Sequence, residues 1–205
     1  MNVLLKKLEY PVIKEKDYIG INGVGINQLI HPHFEIWQKF FKNHYEFKSN
    51  TKLILFLPCA AIKPYINSPI HKEFNKVTEK YKNVQRIVIS NAGIIPYEYI
   101  REYPFNSYDW NPLLETTEIK NLYIKIISEK IYDFFKLMDL KNDLRYVTYL
   151  RNDSESIAAL KIAFEKLGKE LQIIGVTGSL HETADTDLLL ILDENLAKLE
   201  KVLKK

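Results

Sequence analysis

A single cysteine in 205 residues removes several protein classes at once. No internal disulfide framework, zinc ribbon or iron–sulfur cluster can be built from this chain alone. A reducing compartment is expected, which places the protein in the cytoplasm. Long apolar runs are missing as well. No stretch approaches the length that crosses a bilayer, and Lys6, Lys7 and Glu9 fall where a signal-peptide core would lie, so no membrane partner is expected. Neither sign of charge dominates: 29 Lys and Arg against 26 Asp and Glu leave +3, too mild by itself to mark a nucleic-acid-binding face. Glycine is scarce at seven residues. Three of these lie in GINGVG (Gly20, Gly23, Gly25), but no strand-length apolar run precedes the segment and no capped helix opens after it. A loop or hairpin is expected there, not a dinucleotide fingerprint. Repeats and low-complexity linkers are absent. What is plentiful is core material: 46% of residues are hydrophobic and 12% aromatic, which excludes wholesale disorder. The length suits one domain, read as an N-terminal extension over 1–30 and a single α/β domain over 31–205.

Strand-like and helix-like periods alternate through that domain. A helix is expected from Pro32, with Phe34, Trp37, Phe40 and Phe41 on one stripe. His31 and His33 find no third ligand at a plausible spacing and are read as helix-start residues, with no metal site. LILFL (Leu53 to Leu57) is an unbroken apolar run of strand length, suited to a strand buried on both faces. Ser68 can cap the following helix, with Pro69 at its first position and Ile70, Phe74, Val77 and Tyr81 on its inner stripe. VQRIVIS (Val84 to Ser90) is a second buried strand. Pro96 to Glu102 reads as a short helix carrying Glu98, and an edge strand is expected near Ser107 to Trp110. The longest helix runs from about Glu115 to Leu137. Strands at Arg145 to Leu150 and Leu171 to Val176 flank a helix capped by Asp153 or Ser154 and stopped at Gly168. A last helix covers Asp187 to Leu203, and KVLKK closes the chain against its dipole. The pattern predicts a three-layer α/β fold: a mainly parallel sheet of about four strands with helices on both faces.

In such sheets ligands bind where loops leave the carboxyl ends of strands. The loop after the first strand carries Cys59, Lys63, Tyr65, Asn67, Ser68 and His71, which is dense polar equipment for a short connection. From spacing alone a functional loop stands level with a bland one, since a lone Cys behind an apolar strand is usually a small core residue. The second strand leaves into Asn91-Ala92-Gly93, expected on the same rim after a right-handed crossover. The aromatic segment Tyr103 to Pro112, with Tyr108 and Asp109, is either a stacking wall for a flat ring or core padding, with padding slightly favoured.

The spelling Pro58-Cys59, Lys63-Pro64-Tyr65, Ser68, His71 fixes seven positions in fourteen. It resembles the signature of the archaeosine synthase family: Pro-Cys, three residues, Lys-Pro-Tyr, two residues, Ser, two residues, His. GIIPYEY and YPFNSYD (Gly93 to Tyr99, Tyr103 to Asp109) are similar to that family's next segment. The resemblance implies tRNA modification, with an amine (lysine being the implied donor) added to the nitrile of 7-cyano-7-deazaguanine in tRNA. It implies Cys59, Lys63 and His71 as catalytic residues. Pro58, Pro64, Tyr65, Ser68, Asn91, Gly93, Glu98, Tyr108 and Asp109 become substrate-binding candidates. By fold-level analogy it also points to a uracil-glycosylase-like arrangement.

A thiolate at Cys59 adding to the nitrile would give a thioimidate open to attack by an amine. Lys63 and the helix opening at Pro69 would lower its pKa, and His71 would serve as general acid/base. No cofactor is expected in this chain. A radical-SAM partner would cleave the adduct, and a transglycosylase-like subunit carrying an RNA-binding module would bring the tRNA; the chain is therefore expected to be a split-off subunit or a stand-alone paralogue. Two alternatives stay open: a non-catalytic nucleobase-binding or assembly subunit, and a glycosylase- or ribosyltransferase-like activity using Asp109 or Glu98.

Overall fold

The computed structural model of the chain describes residues 13–136, 144–179 and 186–204. Lys6, Lys7, Glu9, Leu137 and the final lysine of KVLKK lie outside the described residues.

After a 3-10 turn at Glu15–Asp17, α1 (Ile26–Leu29) and α2 (Pro32–His44) lead into the sheet. Strand β1 (Leu53–Pro58) has all six residues buried, as an apolar run flanked by neighbours on both edges and both faces must be. Helix α3 (Pro69–Thr78) then returns the chain to β2 (Val84–Ser90), which turns back through Asn91 and Ala92 into β3 (Gly93–Pro96). Helix α4 (Thr117–Lys136) crosses to β4 (Arg145–Thr148), α5 (Glu155–Leu167) to β5 (Gln172–Ile173), and α6 (Asp193–Leu203) closes the fold. The strand order is β3-β2-β1-β4-β5. All pairings are parallel except β2 with β3. Helices α1, α2 and α5 pack with α4, whereas α3 packs with α6 and with the 3-10 segment Thr186–Ile191. These two groups form the outer layers of a three-layer α/β sandwich.

Chain direction reverses around β1. From β1 the chain steps to β2 and β3 on one side, then crosses to β4 on the other. The carboxyl ends of β1 and β4 therefore diverge at a topological switch point, the place where open α/β sheets take ligands. Cys59 follows β1 directly at this point, and Arg151 lies just beyond β4.

Three expectations need revision. Gly93 to Pro96 is a strand and not an open loop: Ser90 pairs with Gly93 and Ile87 with Pro96 in an antiparallel hairpin. Ser107 to Trp110 forms no strand; Tyr108 and Trp110 are buried there as irregular core. The helix expected over Pro96 to Glu102 is one 3-10 turn, Tyr97–Tyr99. Further bounds shift: the strand expected over Leu171 to Val176 is only Gln172–Ile173, the helix expected from Asp187 begins at Asp193 after a 3-10 segment, and Ile26–Leu29 is a short helix where a loop or hairpin is expected. The bounds of α4 and α5 hold closely. Ser154 caps α5 by accepting from Ile157 N–H, and Gly168 takes the left-handed conformation (φ 62°) just past its end.

The hairpin explains one glycine. Gly93 has φ +106°, and a Cβ there would stand 2.6 Å from Cδ of Gln38. That amide clamps the turn: Nε2 donates to Ala92 O at 3.2 Å and Ile94 O at 3.0 Å, while Oε1 accepts from Ile94 N at 3.1 Å. Gly93→Ala combines backbone strain with loss of this clamp, and about 3 kcal/mol of destabilisation is expected. A urea midpoint equal to wild type at unchanged m would show that the turn relaxes freely.

Candidate active site

Two side-chain groups meet behind the exit of β1. The first is a buried strut. His71, in the first turn of α3, has no exposed surface. Its Nε2 lies 2.9 Å from the Pro58 carbonyl oxygen. A carbonyl only accepts, so Nε2 carries the proton and Nδ1 faces the Tyr97 hydroxyl at 3.3 Å as an acceptor. That hydroxyl also lies 3.0 Å from Asn75 Oδ1; having one proton, it donates to one of the two at a time. The imidazole is stacked between Tyr65 (centroids 5.3 Å apart) and Tyr97 (5.7 Å). The Arg86 guanidinium covers Tyr97 at 3.8 Å and donates to Asn75 and Thr78. Burial pushes the His71 pKa down to about 4, outweighing the Pro58 hydrogen bond that pulls it up. At neutral pH His71 is therefore uncharged, with both ring nitrogens facing protein groups. In this setting it holds β1 against α3 and has no open side for the general acid/base role expected of it.

The second group is the site proper. Cys59 is half-buried beside the core. Burial pushes its thiol up to about 11; Asp187 and Glu115 push in the same direction, and Lys63 pulls against them. Lys63 Nζ stands 4.0 Å from the centroid of the Tyr108 ring and 5.9 Å from that of Tyr65. Its pKa is lowered by burial and drawn back up by Cys59 and Asp109. The two phenols beneath it are buried and share a 2.6 Å hydrogen bond. Burial raises both their pKa values, while Ser90 is close enough to favour their ionised forms. The Ser90 hydroxyl also accepts from Ala92 N at 3.0 Å. The chemical content is a protonated thiol, an ammonium held over an aromatic face, and two carboxylates whose charge opposes ionisation of the thiol.

Several of these groups come from distant segments. Tyr123 of α4, whose hydroxyl lies 2.6 Å from Ser156 Oγ, feels the charge of Cys59 and Tyr108. Glu115 accepts from Trp110 Nε1 at 2.6 Å, and Lys120 bridges Glu115 (4.0 Å) and Glu155 (3.0 Å). Asp187 pairs with Arg151 Nε at 2.8 Å. Sequence inspection did not select Ser90, Glu115, Tyr123, Arg151 or Asp187. The strand-exit rule points to Ser90 and Arg151; no local pattern marks the other three.

The remaining candidates fall elsewhere or serve the backbone. Pro58 ends β1, and Pro64 precedes the 3-10 turn Tyr65–Asn67. Ser68 occupies the N-cap position of α3, yet its buried side chain makes no capping bond. Asn91 is buried in the β2–β3 turn and Gly93 is its left-handed residue. Glu98 is turned away from the β1 exit: it accepts from Tyr45 and from Gln85, near the start of β2, both at 2.9 Å. Asp109 is exposed and acts on Lys63 only through charge. His31 Nδ1 accepts from His33 N at 3.2 Å, and His33 Nδ1 meets Tyr103 OH at 2.7 Å, so both serve the start of α2. Among the described residues no group of three or more His, Cys, Asp or Glu side chains is set to hold a metal ion. Among them, too, no helix is long and apolar enough to cross a membrane.

Comparison with known proteins adds three findings. Residues 35–196 match the family described as Domain of unknown function (DUF5591). Over 59 residues the chain is 41% identical to archaeosine synthase subunit alpha of Methanosarcina acetivorans; the match covers 28% of this chain and 9% of that relative. The crystal structure of AF0587, a protein of unknown function, aligns with 82% of this chain and 50% of its own at TM-score 0.54 and 20% identity. That likeness is one of fold. The chain thus spans about a tenth of the curated relative and half of the crystallised chain it matches.

Proposed function

We propose, from the premise that the chain belongs to the DUF5591 family, that it acts in tRNA modification within archaeosine biosynthesis. In this proposal it adds an amine, lysine being the donor of choice, to the nitrile of 7-cyano-7-deazaguanine in tRNA. The observation that carries the proposal is the loop leaving β1 at the switch point, which holds Cys59 and Lys63 near enough for each to act on the other's charge, in a chain with a 59-residue stretch similar to archaeosine synthase subunit alpha.

The chemistry needs no oxidant or reductant. The Cys59 sulfur bonds to the nitrile carbon, one C–N π bond opens, and the thiol proton passes to the nitrile nitrogen, giving a thioimidate. The amine then bonds to the same carbon, the C–S bond breaks, and an amine proton returns to sulfur as the amidine forms. Lys63 stabilises negative charge as it develops on sulfur and on the nitrile nitrogen. In this scheme Asp187 or Glu115, whose charges act on the thiol, takes the proton of the incoming ammonium. His71 keeps the Pro58 carbonyl, and with it Cys59, in position. A transglycosylase-like subunit with an RNA-binding module delivers the tRNA, and a radical-SAM partner cleaves the lysine adduct in a later step.

Mass spectrometry of nitrile-bearing tRNA incubated with lysine and the protein tests this directly. A lysine-sized gain is expected with wild type, with the tRNA-delivering subunit present, and none with Cys59→Ala. No gain from wild type under those conditions would leave a nucleobase-binding or assembly subunit. A gain that survives Cys59→Ala would remove the thioimidate.

A further inference from the structure

We propose that Tyr108 is the positioning residue for Lys63: the face of its ring, not its hydroxyl, seats the ammonium at the Cys59 site. The inference rests on the proposed reaction only for what the seat is used for.

Several other lysines meet carboxylates, although Lys166 also stands over a ring, that of Tyr132, at 3.9 Å. Lys42 pairs with Asp133, Lys76 with Glu73, Lys80 with Glu200, Lys120 with Glu155 and Lys130 with Glu35. Among the described residues no carboxylate oxygen lies within 4.0 Å of Lys63 Nζ, and the carboxylate whose charge acts on it is exposed Asp109. The Tyr108 ring takes that place at 4.0 Å, with Tyr65 behind it. A ring face attracts the cation through its quadrupole without cancelling its charge. It also leaves the three N–H donors of the ammonium for an incoming group. A carboxylate at the same distance would neutralise the charge that a developing anion needs.

The seat is rigid. Tyr108 is 4% exposed. Its hydroxyl is tied to Tyr65 OH at 2.6 Å, its ring meets Phe34 edge-on at 5.3 Å, and its backbone N–H donates to Pro104 O at 3.2 Å. Tyr65 is in turn stacked on His71, whose Nε2 holds Pro58. One continuous stack therefore links the residue before Cys59 to the ring beneath Lys63. The charged and titratable groups facing this pair are Asp187 and Glu115 toward the thiol, Asp109 toward the ammonium, and the phenols of Tyr65, Tyr108 and Tyr123.

The test uses the full chain without tRNA, so its outcome is separable from that of the tRNA assay. The single thiol is alkylated with iodoacetamide between pH 7 and 11, and the adduct is followed by mass. Tyr108→Phe keeps the ring and its packing on Phe34, loses only the tie to Tyr65, and is expected to stay nearer to wild type than Tyr108→Leu. Tyr108→Leu and Lys63→Met are each expected to slow alkylation about threefold at pH 9, because the thiolate loses its neighbouring cation. The double variant should be no slower than Lys63→Met. Tyr108→Leu reacting like wild type while folded, or Tyr108→Phe as slow as Tyr108→Leu, overturns the proposal. If Tyr108→Leu does not fold, mono- and difluorophenylalanine at position 108 weaken the ring face at nearly constant shape. The rate is then expected to fall with each fluorine, and a constant rate overturns the proposal equally.

Discussion

At pH 8 the Cys59 thiol of the free protein is expected to alkylate on the order of tenfold to thirtyfold more slowly than a cysteine in an unstructured peptide. Its rate should keep rising up to about pH 11. Burial, reinforced by Asp187 and Glu115, pushes this thiol up to about 11, against ~8.5 for a free one. At pH 8 roughly one molecule in a thousand is then thiolate, compared with about one in four for the peptide. That ratio alone would slow the reaction a few hundredfold. A more basic thiolate is also a better nucleophile, and a Brønsted slope of about 0.4–0.5 restores roughly tenfold. A plateau near pH 9, as for an ordinary cysteine, would show that burial does not govern this thiol. The same balance bears on the chemistry. In the proposed reaction a thiolate of this basicity would attack the nitrile well but leave poorly, so collapse of the thioimidate would need the sulfur's charge met as the C–S bond breaks. Lys63, with no carboxylate against it, is the group placed to meet it.

The parts of the fold that were legible in the sequence are those fixed by short-range chemistry. LILFL announces a strand buried on both faces, Ser154 and Gly168 bracket α5, and Pro69 opens α3. Strand β3 was hidden because four residues carry little period of their own. It pairs with β2 across a turn clamped by Gln38, more than fifty positions upstream in sequence. Ser107 to Trp110 looked like an edge strand for the opposite reason. Its aromatic residues have strand propensity, yet packing against α2, with Phe34 edge-on to Tyr108, takes precedence over backbone pairing. Strand β5 is confined to Gln172–Ile173, since β4 offers it a pairing edge only over Val147 and Thr148.

The site divides in the same way. Cys59, Lys63 and Tyr65 are close because one loop carries them, and the strand-exit rule finds that loop. The stripe of α3 was expected through Ile70, Phe74, Val77 and Tyr81. The buried face instead runs through His71, Phe74 and Thr78 with Ile70 alongside, while Val77 is only partly covered. This rotation, less than one residue's turn about the axis, carries the imidazole into the interior. There it meets the Pro58 carbonyl and the Tyr65 and Tyr97 rings, partners from other segments that periodicity within α3 cannot report. Asp187 and Tyr123 likewise come within range of the thiol's charge only once distant segments are in place, so neither could be read locally.

His71→Ala is expected to cost about 3–4 kcal/mol at pH 7.5, from a lost buried hydrogen bond and an aromatic-lined void. The pH dependence of that cost tests why the residue is there. The folded-state pKa, about 4, lies below the unfolded value of ~6.5. Between these values the unfolded chain binds more protons, so stability rises with pH. The neutral imidazole's contribution is therefore full above about pH 6.5 and fades as acid approaches pH 4. Between pH 7.5 and 4.5 wild type is expected to lose about 2.5 kcal/mol that the variant does not lose. The gap between their urea-derived stabilities should then narrow to about 1 kcal/mol. Carboxylates titrating in the same range act on both proteins and cancel in the difference. An imidazole that kept its proton in the folded state, as a resting general acid would, makes the gap constant or wider toward acid. That outcome would return His71 to the proton-transfer role, whereas a narrowing gap identifies it as the uncharged strut that fixes Cys59 through the carbonyl of Pro58.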